Sequence, residues 1–527
     1  MSSTAESLTT TANGPKSSAG PKSAPAPATK PSASAFDASG FRATVDRLEE
    51  EIRQLYQDDN APWIVGYSGG KDSTATLQLI WNAIAKLPAD RRFKAIYVIT
   101  TDTLVENPIV SAWVNKSLEV MCEAAREQGM PIDARMLTPK LRDRFWVNLI
   151  GRGYPAPRHK FRWCTERLKI SPSNDFIRSV LSESEEAILA LGSRKSESLK
   201  RAANMLKHEK RRTRDRLSPN ASLPGSLVYT PIETWTNDDV WFYLMQVPNP
   251  WGHRNHDLLQ MYAGASADGE CPLVVDDSTP SCGDSRFGCW VCTMVEQDRS
   301  MTAMIQNDAE KEWMTPLLEL RDALDFRTGG TDGSGHAETD RKLRDFRRMN
   351  GNIQFMGNDR YIPGPYLQHV REEWLRRLLL AQKDASKRAP PEVGHLELIT
   401  LEELQEIRRI WVIDKHELED SLPSIYQEAM GEPYPGTSLD DNLSLGAQEM
   451  AELREICGDD RLHYELTREL ISITRKERNS ARRANLNQRI EQSFKRHYFD
   501  NEAEAIEQAR QKTQARQRAT ERGDNIQ

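Results

Sequence analysis

Residues 66–74 read Gly66-Tyr67-Ser68-Gly69-Gly70-Lys71-Asp72-Ser73-Thr74, directly after the apolar run Pro62-Trp63-Ile64-Val65. This order predicts a strand, a tight Ser-Gly-Gly turn and the first turn of a helix. Glycines let the backbone take up positive φ and approach a ligand closely. Successive N–H groups of such a turn and of the helix start face one concavity, which suits an anion. Lys71 adds a positive charge, and Ser68 and Ser73 add hydroxyl donors. The stretch reads as a phosphate cradle, with a glycine-to-lysine spacing unlike that of the Gly-x-x-x-x-Gly-Lys-Ser/Thr loop.

Outward from this loop the chain alternates. Strands are predicted at 62–67, 94–100, 132–137, 187–192 and 227–232. Helices are predicted at 41–56, 73–87, 108–127, 140–150, 172–182 and 237–245. Short β-rich runs between longer helices indicate an α/β fold with a doubly wound, mostly parallel sheet. Ligands of such sheets sit at the carboxyl ends of strands. Ser68–Ser73, Thr101–Asp102 and Ser193–Arg194 are therefore expected to converge. Beyond residue 298 the periodicity is helical, at about 300–328, 338–349, 366–387, 401–412, 446–456 and 460–475.

The chain has 527 residues and a formal net charge of -7. That length predicts two or three domains. The expected division is a disordered tail over 1–38, a nucleotide-binding α/β domain over 39–247, a cysteine segment over 248–298, a helical domain over 299–475 and a charged helical or disordered tail over 476–527. No apolar run is long enough to span a bilayer, and no leader pattern opens the chain, so a soluble cytoplasmic protein is expected. The overall charge does not advertise a polyanion partner, but its distribution does. Residues 200–216 and 475–497 each carry eight Lys/Arg against two acids, a pattern that suits binding to nucleic acid or a solvated helix face.

Seven cysteines are present, four of them at Cys271, Cys282, Cys289 and Cys292. Clustering of this kind favours metal or catalytic thiols over disulfides. Cys289-Trp290-Val291-Cys292 is a Cys-x-x-Cys knuckle, and four thiolates suit either structural zinc or an iron–sulfur cluster. A single knuckle with longer outer spacings points toward a [4Fe-4S] cluster, with zinc as the alternative. Cys164 lies apart, in Arg158-His-Lys-Phe-Arg-Trp-Cys-Thr-Glu-Arg-Leu-Lys169. Cations of that density favour a nucleophilic thiolate, so Cys164 is a candidate sulfur carrier, or a ligand in place of one of the four. Cys122 and Cys457 read as packing residues.

The Ser-Gly-Gly-Lys-Asp-Ser loop, the Arg-Trp-Cys-Thr-Glu-Arg-Leu-Lys segment and Pro231-Ile-Glu-Thr-Trp-Thr-Asn-Asp-Asp-Val-Trp241 resemble the phosphoadenylyl-sulfate reductase family over roughly residues 45–295. With its four-cysteine cluster, upstream cysteine and long helical extension, the whole resembles the DndC family, the sulfurtransferases of bacterial DNA phosphorothioation. It lacks the Glu-Cys-Gly-Leu-His-type end of small reductases. The resemblance implies an adenine nucleotide alpha hydrolase-like fold with ATP, Mg²⁺ and a [4Fe-4S] cluster as cofactors. It also implies DNA as the sulfur acceptor, a cysteine desulfurase as the donor, and companion subunits. Carried onto this chain, Ser68, Gly69, Gly70, Lys71 and Ser73 hold pyrophosphate, and Lys71 and Arg194 neutralise it. Asp72 holds Mg²⁺ or caps the helix, Ser193 touches the nucleotide, Asp102 touches the nucleotide or the metal, Cys271, Cys282, Cys289 and Cys292 hold the cluster, and Cys164 or the cluster carries sulfur. A sulfonucleotide reductase and a tRNA thiolase use the same loop and stand as alternatives.

Overall fold

Strand β1 (Trp63–Gly66) lies in the middle of a six-stranded sheet, between β2 (Ile96–Thr101) and β4 (Ala187–Ala190). Outside β2 runs β3 (Ile132–Leu137); outside β4 run β6 (Ser226–Tyr229) and then β5 (Ser218–Pro219). All neighbours are parallel except β5 and β6. In register, Trp63 faces Ile96 on one side and Ile188 on the other. The computed structural model describes residues 34–159, 161–210, 212, 214–266, 287–325, 340–357, 360–437, 445–478 and 486–521.

A central parallel strand is covered on both faces, so its residues are apolar without alternation. Trp63 and Val65 enter a core with α1 (Phe41–Gln57), α2 (Lys71–Ala85), α3 (Pro108–Glu127) and α6 (Asn237–Gln246), whereas Ile64 enters the opposite core with Ile177 and Val180 of α4 (Ser171–Glu183). The sheet is therefore doubly wound. Its chain order reverses at β1, which places the crevice between the carboxyl ends of β1 and β4 at the switch point where such folds bind ligands.

A second core joins the cysteine knuckle to the helical half. Trp290 and Val291 are buried with Trp146, Leu317, Leu378, Ile407 and Trp411. The described residues from Ser34 onward form one compact unit.

Several local expectations need correction. The helix predicted over 140–150 is a 3₁₀ turn, Leu141–Asp143, and a π turn, Val147–Gly151. Residues 34–38, assigned to the tail by composition, make a turn. Phe36 packs edge-on to Phe41 and Trp235 there, and the Ser34 hydroxyl donates to Asp239 at 2.5 Å. Cys122 is exposed rather than packed. Helices Asn255–Gly264 (α7) and Leu422–Met430 were not anticipated, and Glu502–Glu521 takes the helical form of the charged tail.

Candidate active site

The loop after β1 forms as its sequence requires. Gly69 sits at φ +72°, and a Cβ there would lie 2.5 Å from Val114, so neither its backbone nor its surroundings accept a side chain. Gly70 is extended and caps α2, whose first turn is Lys71, Asp72 and Ser73. First-turn amides have no partner within a helix. Ser73 Oγ donates to Gly70 O at 2.9 Å and accepts from Ser68 N at 3.2 Å, which ties the loop to the helix. The Ser68 hydroxyl is 3.2 Å from Ser73 Oγ, and Ser68 itself is exposed at the mouth.

The amides do not all face an open concavity, as the sequence suggested. Lys71 N donates to the hydroxyl of Tyr262, on α7, at 3.3 Å, and the Lys71 ammonium lies over the Tyr262 ring at 5.3 Å. Tyr262 thus lies against the cradle, a role that no motif announced.

The end of β4 closes the site from the other side. A Cβ on Gly192 would come within 2.6 Å of Asp72 O and 3.0 Å of Ser73 N, so only glycine lets β4 meet the first turn of α2. Ser193 is half-buried beside it. Arg194 is 4% exposed, and its Nε donates to Asp72 Oδ1 at 2.7 Å. Asp72 Oδ2 lies 3.4 Å from Lys71 Nζ. Both carboxylate oxygens are therefore committed to cations, and Gly70 rather than Asp72 is the helix cap. Lys71, Asp72 and Arg194 form one charged row on the cradle floor, as the strand-end argument expected.

Asp102, at the end of β2, shapes a turn. Its Oδ1 accepts from Leu104 N at 2.8 Å and supports Leu104 at φ +62°. Burial, with Glu106 nearby, raises the Asp102 carboxyl above its ordinary range despite that hydrogen bond. The turn carries residues 103–106 alongside the knuckle. Trp290 N donates to Val105 O at 3.0 Å, Thr103 Oγ1 is 3.4 Å from Cys289 Sγ, and the Cys289 thiol points at Glu106 at 3.7 Å. Lys169 reaches the same Glu106 at 3.2 Å.

Two predicted thiols stand together in the knuckle, Cys289 and Cys292, where Cys292 N donates to Cys289 O at 3.0 Å; Cys164 packs with Cys289 against the same apolar core. Cys271 and Cys282 lie outside the described residues. The knuckle is held from behind. Arg321, fully buried, donates to the Cys292 carbonyl from Nε and Nη2 at 3.1 Å each, and to Glu296 O at 2.9 Å. Thr293 Oγ1 donates to Pro157 O at 2.6 Å and ties the knuckle to the loop that leads to Cys164.

Burial pushes the Cys289 thiol far up, with Glu106 adding to the effect, and burial pushes Cys164 up, with Cys292 adding. This corrects the expectation that neighbouring cations activate Cys164. Three of the segment's cations face elsewhere: Arg158 pairs with Asp340, Arg167 with Asp143, and Lys169 with Glu106. Burial pulls Lys169 down, but the charges of Cys289 and Glu106 outweigh it and hold the ammonium above its ordinary range. Clustered, half-buried cysteine sulfurs are soft donors, which suits an iron–sulfur cluster or zinc. Among the described residues, however, no group of three His, Cys, Asp or Glu is arranged to hold a metal ion.

The cradle and the thiols are physically joined. The Tyr262 ring packs on Phe287 with centroids 4.7 Å apart, two residues before Cys289. One side of the cradle thus rests on α7 and the knuckle segment, and the turn at 102–106 links the sheet to the same knuckle.

Residues 62–253 match the phosphoadenosine phosphosulfate reductase domain. The chain carries a reductase-like domain of that kind, which spans the cradle, Cys164 and Arg194. An uncharacterised protein of Methanocaldococcus jannaschii, MJ0066, is 28% identical over 201 residues, 38% of this chain and 35% of that protein. The chain thus spans about a third of the length of this curated relative. Among solved structures, phosphoadenylyl-sulfate reductase of Candida auris is 14% identical over 40% of this chain and 90% of its own, with a TM-score of 0.24. The U34-tRNA thiolase NcsA of Methanococcus maripaludis, with its [4Fe-4S] cluster, is 14% identical over 55% of this chain and 78% of its own, with a TM-score of 0.23. No helix among the described residues is long and apolar enough to cross a membrane.

The basic runs look different in three dimensions. In 200–216, Arg201 pairs with Glu197, Arg212 with Glu209 and Glu233, Arg214 with Asp59 and Glu186, and Arg216 with Glu51. The exposed lysines of α5 (Leu199–Glu209) and its end are Lys200, Lys207 and Lys210. In the second run, Lys495 pairs with Glu491 and Arg496 with Glu469.

Proposed function

We propose that the chain is an ATP-dependent sulfurtransferase that activates a DNA backbone phosphate by adenylation and replaces one non-bridging oxygen with sulfur. The observation that carries this reading is the junction of a Ser-Gly-Gly-Lys phosphate cradle with half-buried thiols at one end of one sheet, through Tyr262–Phe287 and the turn 102–106. A nucleotide site alone needs no thiols, and a structural metal knuckle need not stand against a phosphate loop. DNA as the acceptor follows the motif resemblance, and the exposed lysines of α5 near Arg194 suit a polyanion.

In this reading the first-turn amides of α2, Ser73 and Lys71 hold the β- and γ-phosphates. A backbone phosphate oxygen attacks the α-phosphorus, the bond to the bridging oxygen breaks, and pyrophosphate leaves. Lys71 offsets the charge that builds on the leaving group, at a site where fixed cations are already in place. Asp72 fixes the directions of both Lys71 and Arg194. A dithiol reductant releases sulfur at the sulfide level from a cysteine persulfide and leaves as its disulfide; that sulfur attacks the backbone phosphorus, and AMP departs with the oxygen. Cys289 and Cys292, with Cys271 and Cys282, would hold a [4Fe-4S] cluster, which when bound supplies a place to receive sulfur. Cys164, packed against the same core as Cys289, is the candidate to take sulfur from a cysteine desulfurase.

A second reading, a sulfonucleotide reductase, is favoured by the domain match itself. The test separates them. Anaerobic protein is incubated with a cysteine desulfurase, cysteine, ATP and DNA, and nucleotides are analysed by mass spectrometry. The proposal expects AMP and pyrophosphate that depend on DNA, together with a phosphorothioate dinucleotide. Reduction of a sulfonucleotide with no ATP cleavage would replace it by the second reading. Cys289→Ser should abolish the visible absorbance of the anaerobic protein, and an unchanged spectrum would remove the cluster.

A further inference from the structure

Far along the chain from the cradle, the helical half encloses a cavity of about 510 Å³. Its walls are residues 345–351, the start of helix Gln368–Arg388, residues 414–417, and helices Arg461–Arg478 and Leu486–His497. Eight Lys/Arg line it against six Asp/Glu. The pairing matters more than the count, because most of these carboxylates are already used. Arg371 takes Glu417, Arg496 takes Glu469, and Arg347 takes Asp345 at 2.9 Å and Glu465 at 2.5 Å. Asp414 turns to Arg409 at 2.9 Å.

Two cations are left over. Among the described residues, neither Lys415 nor Arg348 has a carboxylate within 4.0 Å; Arg348 donates only to the Pro363 carbonyl, at 2.9 Å. A third donor is unused as well. Arg468 is 7% exposed, and its Nε has no hydrogen-bond partner. Its Nη1 faces Gln368 at 2.7 Å and Glu419 at 3.4 Å, and a buried donor left without a partner is costly. Burial, with the charge of Arg371, lowers the Lys415 ammonium to about 8, against the pull of Glu417 and Asp345. The cavity is thus a polar space with surplus positive charge, and cavities of roughly 300–1,000 Å³ hold ligands up to nucleotide size.

We propose that this cavity is a second anion site, separate from the cradle, that binds a phosphate-bearing ligand of nucleotide size or smaller through Lys415, Arg348 and Arg468. Phosphate presents three acceptor oxygens, which match a point charge and guanidinium forks better than a carboxylate would. The phosphate belongs to a free small molecule or to the 5′-phosphorylated end of an oligonucleotide, and the test distinguishes these.

The full chain is treated with a lysine-acylating reagent, and the modification of Lys415 is quantified by mass spectrometry. Inorganic pyrophosphate, AMP or a 5′-phosphorylated oligonucleotide is present, against sodium chloride of equal ionic strength. The proposal expects at least about fivefold protection of Lys415, unchanged in Lys71→Ala, and lost in Arg348→Gln at an unchanged melting temperature. Protection by the oligonucleotide at lower concentration than AMP assigns the phosphate to a nucleic-acid end; the reverse assigns it to a small molecule. Acylation of Lys415 that is indifferent to all three ligands, or protection that disappears in Lys71→Ala, overturns the second site. Its failure would leave the cradle reaction untouched, because that reaction is read from adenylate and sulfur products.

Discussion

Gly192→Ala is the most direct perturbation of the cradle, because it adds one methyl where two backbones meet. The new Cβ would lie 2.6 Å from Asp72 O, 2.7 Å from Asp72 C and 3.0 Å from Ser73 N, whereas real Cβ atoms essentially never come within 3.0 Å of such atoms. The interface must open by at least about 0.4 Å, and neither side is a flexible side chain. The strand is held by pairing to both β1 and β6, and the helix start by the Thr74 N bond to Gly70 O and the Arg194–Asp72 pair. Overpacking of this kind costs about 1–3 kcal/mol, and at roughly 2 °C per kcal/mol the melting temperature should fall by about 2–6 °C. The functional effect should be larger in proportion. A misplacement of about 1 Å costs on the order of 100-fold in precisely positioned sites, so pyrophosphate affinity should fall by roughly tenfold. Isothermal titration with pyrophosphate and thermal unfolding measure both. Gly288→Ala is the matched control, since a Cβ there meets nothing within 4 Å. If Gly192→Ala binds pyrophosphate and unfolds as the unmodified chain does, the close approach of β4 to α2 is not what shapes the site.

Three further outcomes are expected. Asp72→Asn leaves the buried Arg194 guanidinium without its carboxylate; because Asp72 is a quarter exposed, the cost should be about 1–2 kcal/mol rather than the full penalty of a buried pair, read from thermal unfolding. No loss would show that the pair contributes nothing. Tyr262→Phe removes the hydroxyl that accepts from Lys71 N; stability should change by less than about 1 kcal/mol, and pyrophosphate should bind at least as tightly, whereas a large loss would make Tyr262 a ligand contact. Burial pushes the Glu403 carboxyl up to about 7 from an ordinary 4.5, against hydrogen bonds from Thr400 and the charge of Arg144. The folded state then holds a proton that the unfolded state has released. The stabilisation is full below pH 4.5 and is lost as pH rises through 7, by about 3 kcal/mol at roughly 1.4 kcal/mol per unit. Glu403→Gln keeps an acceptor for the Thr400 amide and should flatten the melting temperature between pH 4 and 8; a slope that persists would place the titration elsewhere.

What could be read in advance was what local pattern encodes. β1 and its loop were legible because a strand buried on both faces must be an unbroken apolar run, and because Gly69 needs positive φ; β3 and α3 fall where predicted. The two-residue antiparallel β5 and the turns at 141–151 carry no period long enough to detect. Tyr262 lies 191 residues from the amide it meets, and Arg321 lies 29 residues from the carbonyl it holds. Their signals are ordinary helix residues, and only the folded contact gives them a role.

Charge shows most clearly where a linear reading stops. A count of cations beside Cys164 predicts a thiolate, but Arg158, Arg167 and Lys169 each point to a carboxylate instead, and burial decides the thiol. The 200–216 run reads as a basic surface, yet Arg201, Arg212, Arg214 and Arg216 are met by Glu197, Glu233, Asp59, Glu186 and Glu51 from outside the run. The reverse holds in the helical half, whose segments attract no notice for charge up to residue 474, and where Lys415 and Arg348 have no carboxylate within 4.0 Å among the described residues. The net sign of a segment predicts where counter-charges are needed. Which of them the protein supplies itself, and which it leaves for a ligand, is settled by tertiary pairing, and that is why the partnerless cations rather than the basic runs point to an anion.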